Sequence, residues 1–414
     1  MTPVATEKFQ AEPLPVLCAL RVLCGYNHHS MVTVRSFAKI NLGLCIGPPR
    51  PDGFHDLLTV YQTIALHDVI RVQVGRGTGI QICCDDPRVP RDQANTCYRI
   101  VERAMAALQA SGRVTITIDK RLPVQGGLGA GSGNAVAALL ALERALKKHL
   151  PAAERLRIAA QVGSDLPLFL VGGTVLGMGH GEEVYPLPDL PSVCCVVATP
   201  EIGVSTPKAF ADWDALMSRL SHERDAREGH DRERHDGGQW NPGGHDFSRA
   251  ATVPQGEAAP AAAGAAELRP ARTGRRPVPT RPSKLTPSPP SDRMVGFGRA
   301  VSAWLSGQPL SGVPVKKGRG RAETSLLDLV RTGIENDFEQ VVFPEYPELR
   351  EVKSVLERAG ALYASLSGSG SALYGLFPSR AAAQRAATRL QRDGVPAVVT
   401  TTLTRRPYWK KISD

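Results

Sequence analysis

From Val32 to Gly47 the chain is apolar almost throughout, VTVRSFAKINLGLCIG, and the run is interrupted on one face by Lys39 and Asn41. It predicts one or two strands that carry a polar pair into a buried setting. Alternation returns further on, where Val114, Ile116 and Ile118 alternate with Thr115 and Thr117, the pattern of a half-buried strand. Asp119, Lys120 and Arg121 follow, then the glycine-rich stretch LPVQGGLGAGSGNA, then the dense apolar run AVAALLAL of a buried helix. The predicted order is strand, basic linker, loop, helix.

That loop is the strongest chemical signal in the chain. Gly126, Gly127, Gly129, Gly131 and Gly133 allow positive φ and close backbone approach to a ligand. Ser132 and Asn134 suit an N-cap, and the helix dipole favours an anion at that end. A nucleotide phosphate fits. No Lys-Ser or Lys-Thr pair follows the glycines, so the P-loop is excluded, and Ser132 stands where the last glycine of G-x-G-x-x-G belongs.

Three other segments carry candidate chemistry. Lys39, inside a strand, requires a charged partner. AAQVGSDLPLFLVGG, residues 159–173, offers one: Asp165 stands between a predicted helix and a predicted apolar strand, with Pro167 expected to stop the helix. PRPDGFH, residues 49–55, has turn chemistry that places Phe54 and His55 in a loop. SLSGSGSALYGLF, residues 365–377, is a second small-residue loop ahead of an apolar strand, able to cover a ligand or simply to turn the chain.

Composition narrows the class. With 414 residues, 42% hydrophobic and 5% aromatic, the chain is long enough for two domains with real cores, and it has no apolar run of eighteen residues. The eight cysteines, Cys18, Cys24, Cys45, Cys83, Cys84, Cys97, Cys194 and Cys195, form no CxxC pair and read as buried free thiols of a cytoplasmic protein. The net charge of +10 suggests a nucleic-acid partner until it is located: residues 221–325 hold 17 of the 50 basic and 11 of the 40 acidic residues. More than half of the excess thus lies in one quarter of the chain, mostly in a tract rich in Ala, Pro and Arg that lacks the apolar surface to fold. Residues 219–292 are expected to be a disordered insertion, with His222, His230, His235 and His245 solvated in it. Residues 1–30 form an N-terminal extension of uncertain structure, and Met31 is a candidate functional start.

Taken in order, these segments resemble the GHMP kinases. LPVQGGLGAGSGNA is similar to that superfamily's P-x-x-x-G-L-G-S-S-A phosphate loop, and SLSGSGSALYGLF to its C-terminal glycine motif. AKINL at 38–42, DGFH at 52–55, KRLP at 120–123, GSDLPLF at 163–169 and NDFE at 336–339 resemble the branch that acts on a cytidine diphosphate-linked methylerythritol. GMGHGEEVYPL from Gly177 and PEIGVSTPKAF from Pro200 add to it in the expected order. The likeness covers roughly 32–218 and 325–405. Two departures stand out: Ser132-Gly133-Asn134 replaces a pair of adjacent serines, and Phe54 replaces a tyrosine.

The resemblance implies an α+β, two-domain GHMP kinase fold with a disordered insertion in the C-terminal domain. Its parts are an ATP-binding N-terminal domain over 31–190, a C-terminal domain over 191–218 and 293–414, and the insertion over 219–292. It implies a small-molecule kinase that transfers the ATP γ-phosphoryl group to the 2-hydroxyl of the cytidine diphosphate-linked substrate, in the non-mevalonate isoprenoid route. Lys39 and Asp165 are the expected catalytic pair, Asp165 the base, kept ionised by Lys39. Pro123, Gly126, Gly127, Leu128, Gly129, Ala130, Gly131, Ser132, Gly133 and Asn134 are expected at ATP. Asn41, Phe54, His55, Lys120, Phe210, Gly368 and Ser369 are expected at the acceptor. ATP and Mg²⁺ are the implied cofactors, with no residue assigned to the metal; no specific nucleic acid and no membrane are expected, and the state is a monomer or homodimer. Two other readings stay open, a GHMP kinase for mevalonate or homoserine and a non-catalytic ligand sensor on the same fold.

Overall fold

The structure, a computed structural model, describes residues 31–124, 126–189, 191–236, 290–306 and 334–413. The N-terminal extension and residues 237–289 of the expected insertion lie outside the described residues.

Two long strands, β1 (Val32–Pro49) and β2 (His55–Gly75), pair antiparallel around the Pro-Asp-Gly turn. Strand β4 (Arg113–Asp119) pairs with one end of β2, and β5 (Thr174–Met178) with the other. Strands β3 (Ile80–Cys84) and β6 (Glu183–Pro186) complete a six-stranded sheet in which only the β3–β4 pair is parallel. Helices α1 (Thr96–Ala107) and α2 (Ala130–Leu146) cover one face, where Val34, Ile70, Val72, Ile116 and Ile118 meet the almost wholly buried α2. Two helices follow α2, α3 (Ala152–Val162) and α4 (Leu166–Val171).

A second, antiparallel sheet has the order β10 (Ala397–Thr401), β7 (Cys194–Ala198), β9 (Leu373–Phe377), β8 (Tyr363–Leu366). It packs with α5 (Thr206–Asp236), α7 (Glu339–Glu345), α8 (Pro347–Arg358) and α9 (Arg380–Arg392), burying Trp213, Phe343, Leu356 and Leu390. The two halves are not separate cores. Ala38, Ile40 and Leu42 of β1 share one apolar cluster with Val197 of β7, Tyr374 and Leu376 of β9, and Phe297 and Val301 of α6 (Pro290–Ser306). β1 is therefore buried on both faces, which explains its nearly continuous apolar run.

Four sequence expectations change here. Residues 219–236 extend α5 as helix rather than lacking secondary structure: HERDAREGHDRER is rich in helix formers, and extending an existing helix needs no new nucleus. Residues 166–171 are the short helix α4, not a strand, and Pro167 opens it because the first turn needs no N–H from that position. His55 begins β2, paired with Pro49, instead of lying in the loop. The last helix, α10 (Arg405–Ser413), crosses back from the C-terminal half to the first core, where Tyr408 and Ile412 pack with Phe37 and Phe169. The Tyr408 hydroxyl donates to the Phe169 carbonyl at 2.6 Å.

Candidate active site

A cleft of about 730 Å³ lies where the two halves meet, lined by Lys39, Asn41, Phe54, His55, Asp165, Phe210, Gly368 and Ser369 and by most of the glycine-rich loop. Helix α2 starts one residue after Gly129, which adopts φ +68 and makes no side-chain cap bond. Ser132 and Asn134 are therefore inside the helix, not at its cap. Crowding explains the glycine at this point, because a Cβ on Gly129 would lie 3.0 Å from Lys39 Cγ and Phe169 Cζ. The first i to i−4 bond runs from Gly133 N to Gly129 O at 2.8 Å, so the amides of Ala130, Gly131 and Ser132 have no intrahelical acceptor and point to the N-terminal end. Gly133 is the exception among the expected ATP residues. It does not line the cleft, and a Cβ there would lie 2.9 Å from Phe37 O and Ser36 Oγ, so its smallness serves helix packing on β1.

The second glycine loop interlocks with the first. Gly127 (φ +78) lies so close to the other loop that a Cβ would be 2.0 Å from Ser367 O, and a Cβ on Gly370 would be 2.5 Å from Gly127 N. Ser367 Oγ donates to Gly127 O at 3.0 Å, and Ala372 N to Gly126 O at 3.1 Å. Asn336 fixes the second loop from behind, its amide donating to the carbonyls of Leu366 (2.9 Å) and Gly368 (2.8 Å).

Lys39 and Asp165 meet, as their burial problem requires. Lys39 is 3% exposed, and its Nζ is 3.3 Å from Asp165 Oδ2 and donates to Asn41 Oδ1 at 2.7 Å. Asn41 in turn donates to Thr59 Oγ1 (2.9 Å), so the lysine's hydrogen-bond partner is itself held. The hydroxyl of Tyr61 donates to Asp165 Oδ1 at 3.0 Å, and its ring lies under the Lys39 ammonium at 5.5 Å. Burial, with the Asp165 charge beside it, pushes the Tyr61 hydroxyl well above its ordinary value, so it stays a donor. Asp165 precedes α4 but makes no capping bond, leaving its half-exposed carboxylate turned to the cleft.

The aromatic groups divide. His55 stacks on Phe210 at 5.0 Å, and Phe338 meets Phe210 edge-on at 5.0 Å. His55 Nε2 is 2.7 Å from Asp214 Oδ1, one turn beyond Phe210 on α5. Phe54 is instead exposed and stacks on His180 at 4.7 Å. Lys120 lines the cleft but is engaged elsewhere than at His55. Its Nζ donates to Asp68 Oδ2 (2.8 Å) and the Leu122 carbonyl. Asp68, fully buried, also accepts from the amides of Arg121 and Leu122 and from Asn134 Nδ2, pinning the entry to the first loop. Ser369 Oγ is 2.7 Å from Thr206 Oγ1, linking the second loop to α5.

Tyr61, Asp68, His180, Asp214 and Asn336 were not among the expected site residues. Their sequence surroundings are ordinary strand, loop and helix, and only Asn336 (within NDFE) and His180 (within GMGHGEEV) lie in segments that carry the family resemblance.

Two halves, each built on its own sheet, close over paired glycine loops with a lysine–aspartate pair between them, and the fold and site together define a GHMP-type small-molecule kinase. The family model for the GHMP kinases N terminal domain matches residues 95–173, and the one for GHMP kinases C terminal matches 322–396. A 4-diphosphocytidyl-2-C-methyl-D-erythritol kinase of Solibacter usitatus is 33% identical over 366 residues, covering 87% of this chain and 85% of that protein. One from Acaryochloris marina is 31% identical over 360 residues, covering 87% and 91%. The chain belongs to the family of 4-diphosphocytidyl-2-C-methyl-D-erythritol kinases. The fold is shared more widely. A crystal structure of a 4-(cytidine 5'-diphospho)-2C-methyl-D-erythritol kinase superposes with TM-score 0.56 at 24% identity, covering 90% of this chain and 99% of that one. A homoserine kinase of Cytophaga hutchinsonii superposes with TM-score 0.58 at 17% identity, covering 94% and 99%.

Proposed function

We propose that this protein transfers the γ-phosphoryl group of ATP to the 2-hydroxyl of 4-diphosphocytidyl-2-C-methyl-D-erythritol, with Asp165 as the base. The observation that carries the reading is the Lys39–Asp165 pair, 3.3 Å apart, in the same cleft as the uncapped start of α2. Phosphoryl transfer asks for positioning and for neutralisation of charge more than for covalent help from the protein. The amides of Ala130, Gly131 and Ser132 supply donors to the phosphates. Asp165 accepts the hydroxyl proton as the new O–P bond forms and the bond to the leaving diphosphate oxygen breaks. Lys39, held by Asn41, places a fixed positive charge beside the developing alkoxide, and Tyr61 holds the carboxylate in place. Asn41, Gly368 and Ser369 line the floor on the acceptor side, and the His55–Phe210 stack with Asp214 offers a flat polar-edged surface for the cytidine base.

The donor set suits an ion carried largely by phosphates and water. Among the described residues no cluster of three or more His, Cys, Asp or Glu could hold a metal, and Mg²⁺ in kinase sites takes only one or two protein oxygens. Ser132, which lines the cleft, would hold it. When bound it neutralises charge on the transferring phosphates. Among the described residues no helix is long and apolar enough to cross a membrane, and all six described cysteines are free.

The test is ATP-dependent phosphorylation of the cytidyl substrate by the purified protein, run beside Asp165→Asn with mevalonate and homoserine as control acceptors. Turnover of the cytidyl substrate alone, reduced at least about 100-fold in the variant, is expected. Turnover of a control acceptor instead, or an unaffected variant, overturns the reading.

A further inference from the structure

Strand alternation sends every second residue of β1, β2 and β4 to the face turned away from α1 and α2. Thr33, Arg35 and Phe37 on β1 lie across from Arg71, Val69 and His67 on β2, and Val69 lies across from Asp119 on β4. Two residues further on, Arg121 joins the same row. Helix α10 walls this face on one side, where Arg35 donates to the Lys411 carbonyl at 3.1 Å and Tyr408 packs on Phe37 at 5.5 Å. The result is a groove of about 630 Å³ lined by Thr33, Arg35, His67, Arg121 and Lys411 over an apolar floor of Phe37, Ala65 and Val69. Among the described residues its lining holds no carboxylate. Asp119 stands beside it and is spoken for, holding Arg121 at 2.7 Å and Arg71 at 4.0 Å. His67 Nδ1 is 3.0 Å from the Ala65 carbonyl, so the ring is fixed with that nitrogen as donor.

We propose that this groove binds a small phosphorylated anion of the diphosphate class, held between the guanidinium groups of Arg35 and Arg121 and the ammonium of Lys411. Arg35, Arg121 and Lys411 line the same groove, Arg121 giving its Nη2 to Asp119, and the planar guanidinium fork suits phosphate oxygens. A walled groove with an apolar floor fits a compact organic diphosphate better than an extended polymer. The groove also adjoins the entry to the cleft's first loop. His67 is the neighbour of Asp68, and the Arg121 amide is one of the groups that Asp68 holds at the entry to the first glycine loop. A ligand that draws the Arg121 side chain outward therefore acts on the 120–122 segment, and binding in the groove adjusts how the loop receives nucleotide.

The experiment titrates the full chain with inorganic pyrophosphate by calorimetry in metal-free buffer, with ADP at saturation to occupy the cleft. Binding that persists under ADP and weakens at least tenfold in Arg35→Gln/Lys411→Gln is expected, with hydrogen exchange of the 120–122 amides slowed by pyrophosphate in the parent only. Lys411→Gln alone, a change at an exposed position, should give an intermediate loss and guards against misfolding of the double variant. Absence of binding under ADP, or equal binding by parent and variants, overturns the site. A single-stranded oligonucleotide that displaces pyrophosphate from the groove at lower concentration overturns the assignment to a small anion. Unchanged exchange at 120–122 overturns the coupling.

Discussion

Gly127→Ala tests the interlock of the two glycine loops. An alanine at φ +78 costs about 1–2 kcal/mol by itself. Its Cβ would also lie 2.0 Å from the Ser367 carbonyl oxygen, a backbone atom that no rotamer change can move. The loops must part by at least about 1 Å, which breaks the bonds from Ser367 Oγ and Ala372 N, worth about 1 kcal/mol each. The total is about 3–4 kcal/mol. Gly394→Ala is the control, since it shares the backbone cost at φ +79 but has no atom within 4 Å of its added Cβ. Urea unfolding of the three proteins should therefore place Gly127→Ala about 2 kcal/mol below Gly394→Ala. Because the same loops line the cleft, kcat/KM for ATP should fall in Gly127→Ala and hold in Gly394→Ala. Equal destabilisation of the two variants would refute the interlock and leave Gly127 as a turn glycine only.

Other consequences are accessible to the same protein. Tyr61→Phe removes one hydrogen bond to Asp165 without opening a cavity, so kcat should fall about tenfold with KM for ATP unchanged, in steady-state kinetics. Asp214→Ala frees His55 and should raise KM for the cytidyl substrate several-fold while leaving ATP binding unchanged by calorimetry. Burial raises the Asp337 carboxyl to about 6, outweighing Arg293 and the Ile46 amide. The folded state thus holds this proton more tightly than the unfolded chain, and the resulting stability, about 3 kcal/mol at 1.36 kcal/mol per unit, is present below pH about 4 and lost as pH rises through about 6. Urea unfolding at pH 4.5 and 7.0 should show most of that loss in the parent and a smaller one in Asp337→Asn.

The Lys39–Asp165 contact is legible because burial forces it: a lysine within an apolar strand must find a charge, and Asp165 stands at the edge of a later apolar segment. That the loop opens a helix and lines the cleft is legible for a similarly local reason, its glycine density. What stayed hidden depends on packing between distant segments. The glycine before α2 is required by Lys39 and Phe169, far away in sequence, and no cap signal near Ser132 reveals that. Tyr61 reads as an ordinary member of TVYQTIAL, and its role appears only when β2 passes beneath Asp165. Lys120 lines the cleft, as KRLP leads one to expect, but its bond to Asp68 follows from the register of β2 against β4, which local sequence does not show. The helical character of 166–171 was missed because a short apolar run has no period of its own.

Helix α10 sets the order of events during synthesis. Tyr408 and Ile412 complete a core whose other members, Phe37 and Phe169 among them, are translated hundreds of residues earlier. The first half leaves the ribosome with that wall open, and it closes only after both halves and the long segment between them have emerged. An exposed apolar strip on the nascent chain is a target for holding chaperones over the whole interval. A ribosome stalled before residue 405 would display a first half that retains its glycine loop but lacks its seal.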